Sequence, residues 1–101
     1  MIEYKIIKEI ERNGAHTQRS LAETLNVSLG RINYIMAGFI KIGAIQAKKV
    51  RDHHDKIRWR YYLTTKGIAE KMRLAQEYFA LLSSEYDEVK RDLQVLENLN
   101  K

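Results

Sequence analysis

A chain of 101 residues, 45% apolar and 31% charged, is sized for one globular domain with room for an appendage. No window is apolar enough to span a bilayer and the N-terminus alternates charge with Ile, so neither a membrane span nor a secretion signal is expected; the lack of cysteine excludes disulfides and fits a cytoplasmic protein. The net charge of +5 is unevenly placed, with 12 Lys and Arg against 6 Asp and Glu in residues 1–64, but 6 against 7 in residues 65–101.

Ile2, Ile6, Ile7 and Ile10 mark a first amphipathic helix, which Asn13-Gly14 ends. His16-Thr17 reads as a short extended piece, with Thr17 capping a second helix whose apolar face is Leu21, Ala22 and Leu25. Asn26 breaks the register and Val27 plugs the corner. Ser28 then caps a third helix that runs to about Ile42, holds Ile32, Ile35, Met36 and Phe39 inward, and ends at Gly43. Gly38, inside that helix, is expected to mark tight packing against another helix. Two short helices joined by a tight turn, the second capped and presented by the first, are the sequence form of a helix-turn-helix.

After Gly43 the period changes. Ile57, Trp59, Tyr61 and Leu63 alternate with Arg58, Arg60, Tyr62 and Thr64, which predicts a strand with one buried and one basic face. Trp59 and Tyr61 fall on the buried parity. Ile45 and Ala47 suggest a partner strand, and Arg51-Asp-His-His-Asp-Lys56 is the polar tip between them. Helix, helix, helix, strand, strand describes a mainly α fold with a small β-wing, a winged helix-turn-helix, over residues 1–64.

Thr64 or Thr65 can cap a last helix, residues 65–101, that continues to about Asn98. Its apolar positions Ile68, Met72, Ala75, Phe79, Leu82, Tyr86, Val89, Leu93 and Leu96 alternate steps of four and three, as a coiled-coil seam does. Leu74, Tyr78 and Leu81 add a second stripe in the first half only, so that half should touch its own domain as well as a partner. About 34 residues at the standard rise span roughly 51 Å, against a globule roughly 25–30 Å across, so the helix must overhang. No Gly or Pro allows it to fold back, and an overhanging apolar seam is best covered by a second copy. This helix is therefore expected to be the homodimer interface. Its direction stays open, because in a parallel coil Glu85 and Lys90 would attract while Asp92 and Glu97 would repel.

A helix entering a major groove reads bases from its first turns and one exposed stripe. Removing the inward positions leaves Ser28, Leu29, Gly30, Arg31, Asn33, Tyr34 and Ala37. Arg31 can pair bidentately with guanine and Asn33 with adenine; Ser28 and Tyr34 suit phosphate or base contacts, and Gly30, with no side chain, lets the helix start approach a phosphate. Gln18 and Arg19 open the second helix beside the backbone. Lys48, Lys49, Arg51, Lys56, Arg58 and Arg60 crowd the wing, where they would hold phosphates or send one Arg into the minor groove. His53 and His54 with Asp52 and Asp55 lie on consecutive turn positions that rarely converge on one ion, so no metal is expected, and no other cofactor. No catalytic pair or phosphate-cradling loop stands out, which speaks against an enzyme.

The run Ser28-Leu-Gly-Arg-Ile-Asn-Tyr34, the Ile42-Gly43 exit, the basic wing and Tyr62-Leu-Thr-Thr-Lys-Gly-Ile68 resemble the small MarR-type winged-helix regulators, in particular those called EPS-associated. The resemblance covers roughly residues 4–95. It implies a bacterial or archaeal homodimeric transcription factor on palindromic double-stranded DNA, and hints at genes for exopolysaccharide synthesis. Many such relatives carry proline at the position of Thr65, and larger ones have extra N-terminal helices that build the dimer and an effector pocket. This chain begins almost at the first winged-domain helix, so no small-molecule effector is expected and pairing is expected to rest on the C-terminal helix. The expected function is a sequence-specific homodimeric repressor; the competing reading is a winged-helix adaptor that docks proteins and does not bind DNA.

Overall fold

The computed structural model describes every residue except 13, 15 and 16. Its elements are α1 (Ile2–Arg12), α2 (Gln18–Leu25), α3 (Leu29–Lys41), β1 (Ile45–Arg51), β2 (Ile57–Leu63) and α4 (Thr65–Leu99). The expected order of elements is present. The parts of the reading that fall on Asn13 and His16 lie outside the described residues.

Side-chain caps start three of the helices. Thr17 Oγ1 accepts from the Ser20 amide, and Ser20 Oγ in turn accepts from the Thr17 amide, a capping box. Ser28 Oγ accepts from Arg31 N at 3.1 Å, and Thr64 Oγ1 from Gly67 N at 3.0 Å. Thr64 rather than Thr65 is thus the cap of α4. Both helices of the helix-turn-helix end in the paired bonds of a Schellman motif. Asn26 takes left-handed backbone (φ 55) after α2, with Val27 N donating to Ala22 O; Gly43 does so after α3 (φ 79), with Ala44 N donating to Phe39 O.

The core is one cluster in which Ile6, Ile7 and Ile10 of α1 meet Leu21 of α2, Ile32, Met36 and Phe39 of α3, Ala44, Ile45 and Tyr61 at the wing base, and Leu74 of α4. The first turns of α4 are therefore part of the globule. Lys71 pairs with Glu11 at 2.6 Å, and the Tyr78 ring packs on Tyr4 at 5.7 Å. Gly67 sits where the start of α4 crosses the β1 entrance; a Cβ there would overlap the Ala44 carbonyl oxygen and the Leu63 side chain. Gly38 is the opposite case. Nothing lies near its missing Cβ, so it marks no helix contact and the expectation of tight packing is corrected.

The hairpin pairs Ile45 with Leu63, Ala47 with Tyr61, Lys49 with Trp59 and Arg51 with Ile57 on one face. Only the base of that face is buried. Tyr61 is buried, but Trp59 is 50% and Ile57 59% exposed, so the expectation that Trp59 joins the core is corrected. The outer half of that face is only partly covered. α4 outruns the globule. Its 35 residues make about 52 Å of helix at the standard rise, within a molecule 68 × 26 × 21 Å.

Candidate nucleic-acid interface

The outward face of α3 is built by subtraction. Ile32, Met36 and Phe39 anchor the helix, and Ser28, Leu29, Gly30, Arg31, Asn33, Tyr34 and Ala37 are all exposed. Tyr34 is 82% exposed. The Ser28 cap fixes the helix start, so the exposed Arg31 rises from the first turn beside amides whose dipoles favour an anion. Arg19 is exposed on the first turn of α2; Gln18 is half-buried, its Nε2 donating to Tyr61 Oη at 3.4 Å. That bond ties the start of α2 to the base of the wing.

On the second face of the hairpin Gln46 stands opposite Tyr62, Lys48 opposite Arg60, and Val50 opposite Arg58. Like charges directly opposite in a ladder are destabilising, so Lys48 and Arg60 are a local cost that a polyanion would relieve. Both are exposed, and Lys48 Nζ lies 5.5 Å from the Tyr62 ring centroid. On the other face Lys49 Nζ lies 5.2 Å from the centroid of Trp59. Trp59 and Tyr62 are thus wing-surface aromatics beneath lysines, a role that period-two reading missed for Trp59.

The tip is organised by Asp52. Its Oδ1 accepts from the amides of His54 (2.9 Å) and Lys56 (3.0 Å), and its Oδ2 from Arg58 Nε (3.0 Å). The Arg58 guanidinium, followed by the Lys56 amide, holds this carboxyl below the ordinary aspartate range. Arg51 pairs with Asp55 at 3.3 Å. All six wing cations are exposed, and two of them, Arg51 and Arg58, face carboxylates. An Asp whose side chain takes an amide two residues on is the usual turn device, and it was the available signal for Asp52. The His53 and His54 rings touch at 4.0 Å, and among the described residues no group of three or more His, Cys, Asp or Glu side chains converges.

The α4 seam is open. Ile68, Met72, Phe79, Leu82, Tyr86, Val89, Leu93 and Leu96 are exposed, Phe79 to 73%, and Ala75 is half-buried. The second stripe divides: Leu74 is buried and Tyr78 packs on Tyr4, whereas Leu81 stays exposed. Among the described residues no helix is long and apolar enough to cross a membrane.

Three helices, a two-stranded antiparallel wing and a capped, outward-facing third helix define a winged helix-turn-helix fold. Residues 2–46 match the family described as winged helix-turn-helix DNA-binding. The whole architecture is similar to the smu.1704 protein of Streptococcus mutans, with a TM-score of 0.69 and 19% identity over 79% of this chain and 77% of that one. It is similar also to FabT of Streptococcus pneumoniae, solved in complex with DNA (TM-score 0.54, 21% identity, 96% of this chain and 70% of that one). A MarR transcriptional regulator of Methanosarcina mazei gives a TM-score of 0.55 at 20% identity, over 94% and 73% of the two chains. At such identities the likeness is one of fold. No curated protein sequence matches the chain.

Proposed function

We propose that the protein is a homodimeric transcription repressor that reads double-stranded DNA with α3 in the major groove and grips flanking backbone with the wing. The observation that carries this is the outer face of α3: seven exposed positions from Ser28 to Ala37, on a helix whose other side is locked into the core. In this reading Arg31 and Asn33 contact bases. Ser28, Leu29, Gly30 and Tyr34 lie against the helix-proximal backbone with Gln18 and Arg19, and Lys48, Lys49, Arg51, Lys56, Arg58 and Arg60 contact phosphates. Residues 1–64 supply recognition and residues 65–101 supply pairing, with the early turns of α4 shared between them. The likeness to FabT, whose structure holds DNA, supports the same reading. Assignment to the EPS-associated subgroup rests on the Ser28–Tyr34 run and the segment around Leu63.

Selection of binding sites from random duplexes by the purified protein tests this directly. The expected result is a palindrome with half-sites about one helical turn apart and an affinity that falls steeply with salt. Absence of any salt-dependent affinity for duplex DNA would favour the adaptor reading. Replacing Leu82 and Val89 by Lys should yield monomers that bind the selected site weakly; a dimer surviving at micromolar concentration would remove α4 from the interface.

A further inference from the structure

The seam of α4 is directional, and its direction follows from the side chains it carries together with a hollow at the base of the wing. We propose that two copies pair α4 against α4 antiparallel, Phe79 opposite the partner's Leu82 and Ala75 opposite the partner's Tyr86, and that each Leu99 seats in the other copy's hollow. This rests on the homodimer reading and gives it a register.

Side-chain size is the first ground. Parallel in-register pairing sets every seam residue against itself, so a thin Ala75 layer would sit beside a double-Phe79 layer. The antiparallel register levels the layers: Ala75 meets Tyr86, Val89 meets Met72, Leu82 meets Phe79 and Ile68 meets Leu93. Charge is the second ground. The parallel coil opposes Asp92 to the partner's Glu97, whereas the antiparallel flanks oppose no like charges. Lys71 faces the partner's Asp92, which would join Glu11 on the same ammonium, and Tyr78 faces the partner's Glu85. Ala69 faces the partner's Lys90 across the other flank. Sliding the register by one heptad either sets Glu85 against the partner's Glu85 or carries Leu93 and Leu96 past the end of the partner's helix.

The third ground is independent of the seam. Leu99 is 78% exposed at the end of α4, where an isolated chain gives it no cover. In the proposed register it arrives beside the partner's Thr64. At that place the structure has a hollow between the end of α1 and the foot of the wing, with Ile10, Leu63 and Ile68 as its apolar lining and Glu11, Arg60 and Tyr62 at its polar side. Parallel pairing would carry Leu99 to the far end of the coil, away from both globules.

Since the chain has no cysteine, engineered thiols report the register without background. Ala75→Cys and Tyr86→Cys are purified separately, then mixed and oxidised. The antiparallel register predicts a disulfide in the mixture and none in either variant alone, because two copies of residue 75 would lie about 16 Å apart along the coil, beyond disulfide reach. Cross-linking of either variant with itself, or no cross-link in a mixture that sediments as a dimer, would overturn the register. A monomer at tens of micromolar would overturn the homodimer reading with it. Leu99→Asp should raise the dimer dissociation constant at least tenfold; an unchanged constant would remove Leu99 from the partner's hollow.

Discussion

Arg60→Thr separates the cost of the wing from its use. Arg60 stands directly opposite Lys48 in the ladder, both exposed, and a like-charged opposed pair costs about 0.2–1 kcal/mol. Threonine removes the repulsion, suits a strand and leaves the Lys48–Tyr62 contact in place. The variant should therefore be more stable, with a melting temperature higher by about 1–8 °C for a domain of this size. Its DNA affinity should move the other way. Loss of one phosphate contact per protomer is two per dimer, which makes the plot of log affinity against log salt shallower by about 1.8. Between 50 and 200 mM salt the variant should lose about twelvefold less affinity than the parent does. Fluorescence anisotropy on the selected duplex over that range, beside a thermal melt, measures both. A higher melting temperature with an unchanged salt slope would refute the reasoning, since the Lys48–Arg60 row would then be a surface charge that does not face the duplex.

Arg31→Ala should cost about 1–3 kcal/mol on the selected site and little on random duplex; equal losses on both would make Arg31 a phosphate contact. Gly67→Ala should destabilise by about 1–3 kcal/mol, because the added methyl meets the Ala44 carbonyl. Gly38→Ala, with open space around it, should stabilise by about 0.5–1 kcal/mol; thermal melts that rank the two alike would contradict the packing described. Asp52 holds a depressed pKa, so its support of the wing turn is complete above the ordinary aspartate value and is lost as the pH falls through the lower folded-state value. The His54 and Lys56 amide shifts should titrate with a midpoint below the ordinary aspartate value, and Arg58→Ala should move that midpoint upward; a midpoint that does not move would detach Arg58 from the turn.

Thr17 and Ser28 could be read from the chain because a cap is a local device, a hydroxyl with an apolar run after it, whereas Thr64 and Thr65 offered the same hydroxyl side by side and only the structure separates them. The inward faces of α1 and α3 were equally legible, since spacing alone puts Ile6, Ile10, Ile32 and Met36 on one side. Alternation in β2 showed which residues share a face but not how far the helices reach beneath it, and so Trp59 was misplaced while Tyr61 was not. Gly67 gave no local sign at all. Its need for a bare Cα arises where α4 crosses Ala44, more than twenty positions away. Asp52 in a polar tip carried the sign of a turn residue, but which amides it accepts from depends on backbone that the turn itself creates.

α4 carries two faces on one uninterrupted helix. Leu74 and Tyr78 fix it to the α1 side of the globule, and Phe79, Leu82 and Tyr86 point elsewhere, to the seam. No Gly or Pro lies between Ile68 and Lys101, so there is no residue at which the seam could swivel relative to the core. The core in turn fixes α3 through Ile32 and Met36, and the Gln18–Tyr61 bond fixes α2 to the wing. The two α3 helices of a dimer would thus be held at one separation by side-chain packing alone, with no flexible joint between reading head and partner. A repressor built this way should be intolerant of half-site spacing: one base pair inserted at the centre of the palindrome rotates one half-site by about a tenth of a turn, which neither the seam nor the core can follow without breaking contacts.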